Sequence, residues 1–154
     1  AWGDAAVASV AAALHDEPWD APAEADTLDV VVVGAHLSGL PLNGQLTERG
    51  ATLVRATHTA AAYRLYALAG FAPERPGLVH VGADGAAIEV EVWRMPTAAL
   101  GSFLAGVPAP LALGTVELAD GSSCVGFVCE PRALHAATDI TAHGGWRAFI
   151  SRPA

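Results

Sequence analysis

Short apolar runs separated by glycine-rich turns follow one another from about residue 28 and predict a series of β-strands. The apolar run Val30–Val33 has the length of a buried strand. Alternation of polar and apolar positions predicts two further strands over 52–58 and 62–68. Two hairpins are predicted, one pairing 78–81 with 87–95 and one pairing 115–118 with 124–130.

Helical segments are few. The alanine-rich stretch 5–14 predicts a helix, and so does 96–105, which begins with a proline. Shorter helical segments are predicted over 45–50, after Pro131 and over 145–150. The stretch 15–26 is acidic and contains two prolines, as a linker does. We therefore predict an N-terminal helix and acidic linker over 1–29, and one domain over 30–154.

The balance of elements predicts the fold class. Mostly antiparallel strands with few helices are typical of an α+β domain built on a small β-barrel or a curled sheet, with the helices at its flanks. The length of 154 residues fits one such domain, and a hydrophobic fraction of 53% with 16% charged residues excludes a disordered chain.

Charge and composition exclude several functions. Residues 1–29 hold seven of the 16 acidic residues and no arginine, so the chain lacks the basic face that nucleic acid requires. All eight basic residues are arginines, which excludes lysine Schiff bases and P-loop chemistry. No apolar stretch reaches membrane-spanning length and no signal peptide is evident, so we expect a cytoplasmic protein without a membrane partner.

Metal and cofactor chemistry is not indicated. The six histidines are scattered and no Cys-x-x-Cys motif occurs, so we predict neither a metal site nor a cofactor. Cys124 and Cys129 are five residues apart in one predicted strand, which places their side chains on opposite faces. We interpret them as structural thiols that do not bond each other.

Six segments in order along the chain resemble the C-terminal domain of allophanate hydrolases. They are VVVGAHLSGLPLN (31–43), YRLYAL (63–68), IEVEVW (88–93), VPAPLALGTVELADG (107–121), GFVCEP (126–131) and DITAHGGW (139–146). The resemblance implies a fold like that of γ-glutamyl cyclotransferases. It also implies a role in urea or triazine nitrogen catabolism, with the amidase domain of allophanate hydrolase as a partner, and homodimers.

The family's reaction sequence suggests what this domain does. In the full enzyme the amidase half deaminates allophanate, and the resemblance implies that the second half decarboxylates the product, N-carboxycarbamate. The amidase half itself uses a Ser–Ser–Lys mechanism, which a chain without lysine cannot supply. Ser122 and Ser123 look like part of that motif, but they lie in a predicted hairpin turn, where serines are common.

The glycine-rich loop 34–44 is the best candidate site. Gly34, Gly39 and Gly44 give the backbone the freedom to direct N–H groups at an anion, and N-carboxycarbamate carries two carboxylates. Within the loop, His36 is the candidate proton donor for decarboxylation. We predict that Gly34, Ala35, Leu37, Ser38 and Gly39, together with the rim residues Leu111 and Gly114, bind the substrate. The alternatives are a tight turn without a ligand and a structural histidine.

Other polar residues are interpreted as structural. Glu89 and Glu91 share one strand face and would repel a dianion, so we expect them to pair with arginines such as Arg64 or Arg94. Tyr63 and Tyr66 are expected to pack. Thr138 and Asp139 are expected to cap a turn, and Trp146 is expected to pack the closing helix.

Three functions therefore compete. The first is decarboxylation of the dicarboxylate N-carboxycarbamate. The second is a non-catalytic assembly or docking domain for the amidase half, since N-carboxycarbamate also decomposes spontaneously. The third and weakest is a γ-glutamyl cyclotransferase, because residues 100–111 lack the acid that those enzymes carry after the corresponding helix.

Overall fold

Eight strands and three short helices make up the part of the chain that the computed structural model describes, residues 26–154. The strands are β1 (Thr27–Val32), β2 (Thr52–His58), β3 (Tyr63–Leu68), β4 (Arg75–His80), β5 (Glu89–Pro96), β6 (Leu111–Glu117), β7 (Ser123–Cys129) and β8 (Thr138–Asp139). The helices are α1 (Gly44–Thr47), α2 (Thr97–Ala105) and α3 (Trp146–Ile150). Short 3-10 turns occupy Gly82–Asp84, Pro131–Ala136 and Thr141–His143. The predicted helix over 5–14 lies outside the described residues, and so does all of the predicted linker 15–26 except its last residue. β1 begins at Thr27, within the segment 1–29 that was predicted as helix and linker.

The strands form two sheets. One has five strands in the order β2-β5-β1-β7-β6, and the other has three in the order β4-β3-β8. All pairings are antiparallel except that of β1 with β7. The α+β class is as predicted. The barrel is not confirmed, because no strand ladder within residues 26–154 joins the two sheets into a closed cylinder.

One predicted hairpin is wrong. β4 pairs with β3, with Tyr63 opposite His80, whereas β5 pairs with β1 and β2 in the other sheet. The turn at Asp84-Gly85 does not reverse the chain within one sheet but carries it from one sheet to the other. Gly85 is needed there because a Cβ would lie 2.2 Å from the carbonyl carbon of Ala62.

The other predicted hairpin is confirmed. β6 and β7 pair along their whole length, with Val116 opposite Cys124. Gly121 in the connecting turn has φ +83°, a left-handed conformation that favours glycine. Contiguous strands joined by such a turn are the pairing that sequence predicts most directly.

β1 lies in the middle of the five-stranded sheet, and the longest buried run within residues 26–154 begins in it. Val30, Val31, Val32 and Val33 are at most 3% exposed, and they belong to the core that both sheets bury. Full burial of an aliphatic side chain stabilises a fold by roughly 1.5–3 kcal/mol. The core therefore fixes the end of β1, and with it the start of the glycine-rich loop. No helix of residues 26–154 is long and apolar enough to cross a membrane.

Candidate functional site

A chain of tight turns leads from β1 to α1. The amide of Leu37 donates to the carbonyl oxygen of Gly34 at 2.9 Å, and the amide of Leu42 donates to that of Ala35 at 2.8 Å. Gly34 is required by close packing, since a Cβ there would lie 2.3 Å from Cδ of Pro76 in β4. The loop is thus held by its own hydrogen bonds and by contact with the smaller sheet.

The His36 side chain is buried and its orientation is fixed. It is 8% exposed, and its Nε2 lies 2.9 Å from Oε1 of Gln45. Its ring stacks on Phe127 of β7 at a centroid distance of 5.0 Å and meets the edge of Phe103 of α2 at 5.4 Å. Asn43 stabilises the same residue from the backbone side, because its Nδ2 donates to the His36 carbonyl oxygen at 2.9 Å.

His36 is neutral near pH 7. Burial lowers the pKa of His36 below the usual 6.5, the hydrogen bond with Gln45 opposes that shift, and the nearby charges of Arg75 and Arg49 add to it. In the tautomer whose Nε2–H donates to Gln45, Nδ1 carries the free lone pair. The ring is therefore able to take up a proton once a negative charge comes close.

A small cavity lies against this loop. Its walls are formed by Val33, Gly34, Ala35, His36, Leu42, Arg75, Pro76, Leu111 and Phe127. Its volume is about 20 Å³, enough for one water molecule. Four predicted site residues are thus brought together: Gly34, Ala35, His36 and Leu111. The sequence did not single out Leu42, Arg75, Pro76 and Phe127.

The cavity walls offer donors and no carboxylate. Within residues 26–154, the amides of Ala35 and His36 donate to no acceptor. Nε of Arg75 is buried and also has no hydrogen-bond partner. The guanidinium of Arg75 lies over the ring of Phe71, 5.2 Å from its centroid. Such a set of N–H groups around a small space suits an anion.

The remaining predicted binding residues lie elsewhere. Leu37 is fully buried in the core, and Gly39 forms a turn with φ +76°. Gly114 lies within β6 opposite Gly126 of β7. Ser38 is turned towards Glu91, whose Oε2 accepts its amide and its hydroxyl, each at 2.9 Å. None of the four lines the cavity.

Glu91 connects the loop to the end of the chain. Besides Ser38, its carboxylate accepts Nε1–H of Trp93 at 2.9 Å and a guanidinium N–H of Arg147 at 2.8 Å. Burial raises the pKa of Glu91, but these hydrogen bonds outweigh burial and hold it below its ordinary value. Arg147 also donates to the Ser38 carbonyl oxygen at 2.8 Å. The network fixes the loop that carries His36.

The expected arginine partners of the two glutamates were wrong. Arg94 pairs with Asp29 and Arg64 lies near Asp139, whereas Arg147 of α3 serves both Glu91 and, at 3.7 Å, Glu89.

The family of the chain follows from comparison with known proteins. The model of the allophanate hydrolase C-terminal domain matches residues 28–151. The chain belongs to this family. Urea amidolyase of Saccharomyces cerevisiae is 42% identical over 128 residues, which are 80% of this chain and 7% of that protein. The structure of Kluyveromyces lactis allophanate hydrolase matches with a TM-score of 0.77 at 40% identity, covering 80% of this chain and 21% of that chain.

Relatives carry the domain in two contexts. The chain spans only a small part of the amidolyase and hydrolase, so in those proteins the domain belongs to a larger chain. A uropathogenic E. coli-specific protein matches with a TM-score of 0.76 at 33% identity, and the match covers 83% of this chain and 98% of that one. Structures of 16 to 18% identity, with TM-scores of 0.57 to 0.60, share the γ-glutamyl cyclotransferase-like fold.

Other polar groups of the allophanate hydrolase C-terminal domain are structural. The Asp139 carboxylate caps the turn at Thr141, accepting its amide at 2.9 Å, and the Tyr63 hydroxyl accepts the amide of Glu117 at 2.8 Å. Ser122 donates to Asp120 in the exposed turn of the β6–β7 hairpin. Within residues 26–154 no cluster of histidine, cysteine and acidic side chains could hold a metal ion, and both cysteines are free thiols.

Proposed function

We propose that this allophanate hydrolase C-terminal domain accelerates the decarboxylation of N-carboxycarbamate, breaking a carbon–nitrogen bond in the second step of allophanate breakdown. The observation that carries the proposal is a buried, hydrogen-bonded and neutral His36 in the wall of a cavity that contains no carboxylate. Membership of the allophanate hydrolase C-terminal family supports this choice of reaction, and the N–H groups in the cavity walls suit a dianion.

The reaction needs one proton at nitrogen. When nitrogen is protonated, its bond to one carboxylate carbon breaks, the bonding electron pair stays on nitrogen and carbon dioxide leaves. The carbamate that remains then takes up a second proton from solvent at its nitrogen and falls apart to ammonia and a second carbon dioxide. His36 takes a proton from solvent when the dianion binds, because a neighbouring negative charge favours the imidazolium, and it then donates that proton to the substrate nitrogen.

Binding of N-carboxycarbamate requires the cavity to widen. N-carboxycarbamate has seven heavy atoms, and a space of about 20 Å³ holds only one water. The His36 ring is held on three sides, by Gln45, Phe127 and Phe103. We therefore expect other residues of the cavity wall to move. Among them are Leu42 and Leu111, whose apolar side chains lose no hydrogen bond when they shift.

A coupled assay tests the proposal. An amidase half of allophanate hydrolase generates N-carboxycarbamate, and carbon dioxide release is followed with and without the chain. We expect acceleration with the wild-type chain, its loss in His36→Ala, and its retention in His135→Ala, a matched change at an exposed histidine. Circular dichroism verifies that both variants are folded. Equal acceleration by His36→Ala and wild type would refute the role of His36.

A docking role remains the second proposal. Leu53 and Val54 are 47% and 41% exposed on β2, which forms one edge of the larger sheet. In the amidolyase and hydrolase relatives the domain is joined to further chain, and an amidase domain or a second copy would cover such an edge. No acceleration by folded wild-type chain, together with co-elution with the amidase half, would favour this function over decarboxylation.

A further inference from the structure

Arg75 is the one arginine within residues 26–154 whose side chain has no hydrogen-bond or ion-pair partner. Each of the other seven donates to a carboxylate, a hydroxyl or a backbone carbonyl oxygen. Arg75 begins β4 and lines the cavity beside His36. Its Nε is buried without an acceptor, and its guanidinium only covers the ring of Phe71.

A buried donor without an acceptor is unfavourable, and native proteins rarely retain one without a reason. Guanidinium groups present N–H donors in a planar fork that matches the two oxygens of a carboxylate. In this cavity the unpaired Nε lies in the same walls as the two free amides of Ala35 and His36. All three lack an acceptor of their own, which a bound anion would supply.

The position of Arg75 relative to the loop is fixed by packing. Pro76, the next residue along β4, lies against Gly34 so closely that a Cβ on Gly34 would overlap it. Arg75 therefore comes from the smaller sheet, and the amides come from the loop at the end of the larger one. Groups on two separate elements can hold the two ends of one short molecule.

We propose that Arg75 binds one carboxylate of a short dicarboxylate in this cavity, while the amides of Ala35 and His36 bind the other. The site then selects small dianions with two carboxylates on one central atom over monocarboxylates and over longer dicarboxylates. This inference rests on the proposed function for the identity of the natural substrate, but the anion site itself is measurable without turnover.

Malonate is a stable probe, because it replaces the substrate's central N–H by a methylene group. Isothermal titration calorimetry at pH 7 is expected to detect malonate binding to the wild-type chain, with weaker binding of acetate and of glutarate. Arg75→Gln is expected to lower malonate affinity by about tenfold or more, since a charge-assisted hydrogen bond is lost. Arg75→Lys is expected to retain part of the affinity, since it keeps the charge without the fork.

Arg55→Gln is the matched control. Arg55 forms an exposed ion pair with Asp120 and does not line the cavity, so its replacement is expected to leave malonate affinity within about twofold of wild type. Thermal unfolding of each variant verifies the fold. The inference would be overturned if folded Arg75→Gln bound malonate as tightly as Arg55→Gln. It would also be overturned if the wild-type chain did not bind malonate at millimolar concentration.

The two proposals fail separately. Malonate binding that depends on Arg75, without any acceleration in the coupled assay, keeps the anion site and refutes decarboxylation. Acceleration that persists in Arg75→Gln with an unchanged KM keeps decarboxylation and refutes the role of Arg75.

Discussion

Replacement of Glu91 by glutamine tests whether the buried carboxylate holds the loop that carries His36. Oε2 of Glu91 accepts three hydrogen bonds, from the Ser38 amide, the Ser38 hydroxyl and Trp93, and Oε1 accepts one from Arg147. A glutamine has one carbonyl oxygen. If this oxygen takes the position of Oε2, the side-chain NH2 group of the glutamine takes the position of Oε1. Two donors, this NH2 group and the guanidinium of Arg147, then face each other.

The cost follows from these contacts. Loss of the hydrogen bond from Arg147 to the charged carboxylate costs about 1.5–3 kcal/mol. The contact between the glutamine NH2 group and the Arg147 guanidinium, both donors, adds roughly 1 kcal/mol. The half-exposed Arg147 recovers part of this from water, because its side chain is 34% exposed. We therefore expect Glu91→Gln to lower the free energy of unfolding by about 2–4 kcal/mol. With a urea m-value of about 2 kcal/mol/M, the midpoint falls by roughly 1–2 M.

Urea unfolding followed by tryptophan fluorescence measures this shift. Glu89→Gln is the matched control on the same strand, since its carboxylate lies 3.7 Å from Nε of Arg147 and is 37% exposed, and such pairs contribute about 0–1 kcal/mol. Equal midpoints for the two variants would contradict the assignment of Glu91 as the anchor of the loop.

The pH dependence of stability gives the same prediction a second test. The pKa of Glu91 is below 4.5 in the folded chain and about 4.5 in the unfolded chain, so the unfolded state binds more protons between the two values. The stabilisation by Glu91 is therefore complete above about pH 4.5 and is lost as the pH falls through the folded pKa. In Glu91→Gln the free energy of unfolding should therefore fall less steeply below about pH 4.5 than in the wild-type chain, because the contribution of Glu91 is absent.

Three further predictions concern the site and the thiols. Gly34→Ala places a methyl group 2.3 Å from Cδ of Pro76, so it should lower the free energy of unfolding by about 1–3 kcal/mol and weaken malonate binding, measured by urea unfolding and calorimetry. The pKa of His36 should rise on malonate binding, because the dianion offsets the charges of Arg75 and Arg49, and NMR titration of the imidazole C–H signals should follow the rise. Burial raises the pKa of both thiols, so both should react slowly with a thiol reagent at pH 7, and buried Cys129 more slowly than half-buried Cys124.

The parts of the fold that sequence predicted are those set by local pattern. The apolar run after residue 29 predicts a buried strand, and the dense glycines that follow predict its loop. The β6–β7 hairpin is also predictable, because its two strands are adjacent and its turn contains Gly121 at positive φ. None of these inferences needed a residue from a distant part of the chain.

Errors arose where distant parts of the chain meet. The predicted strand begins at residue 78, because Arg75-Pro76-Gly77 has the composition of a loop. β4 nevertheless begins at Arg75, since this segment pairs with β3 and packs on the loop after β1. Arg94 was expected to pair with a glutamate of its own strand. Glu91 and Arg94 are three residues apart, so they lie on opposite faces of β5, and Glu91 is 5% exposed whereas Arg94 is exposed to solvent.

Only half of the candidate site was predictable, because only half of it is local in sequence. Its loop is local, and the residues 34–36 that line the cavity are consecutive in sequence. The cation comes from the other sheet and the aromatic wall, Phe127, comes from β7. The periodicity of the sequence does not indicate which strand ends meet. An anion site needs both halves. Two free amides without a cation bind a dianion weakly, and a lone arginine does not fix the orientation of the bound dianion. Gly34 joins the halves, because only a residue without a Cβ lets Pro76, and therefore Arg75, approach the loop this closely.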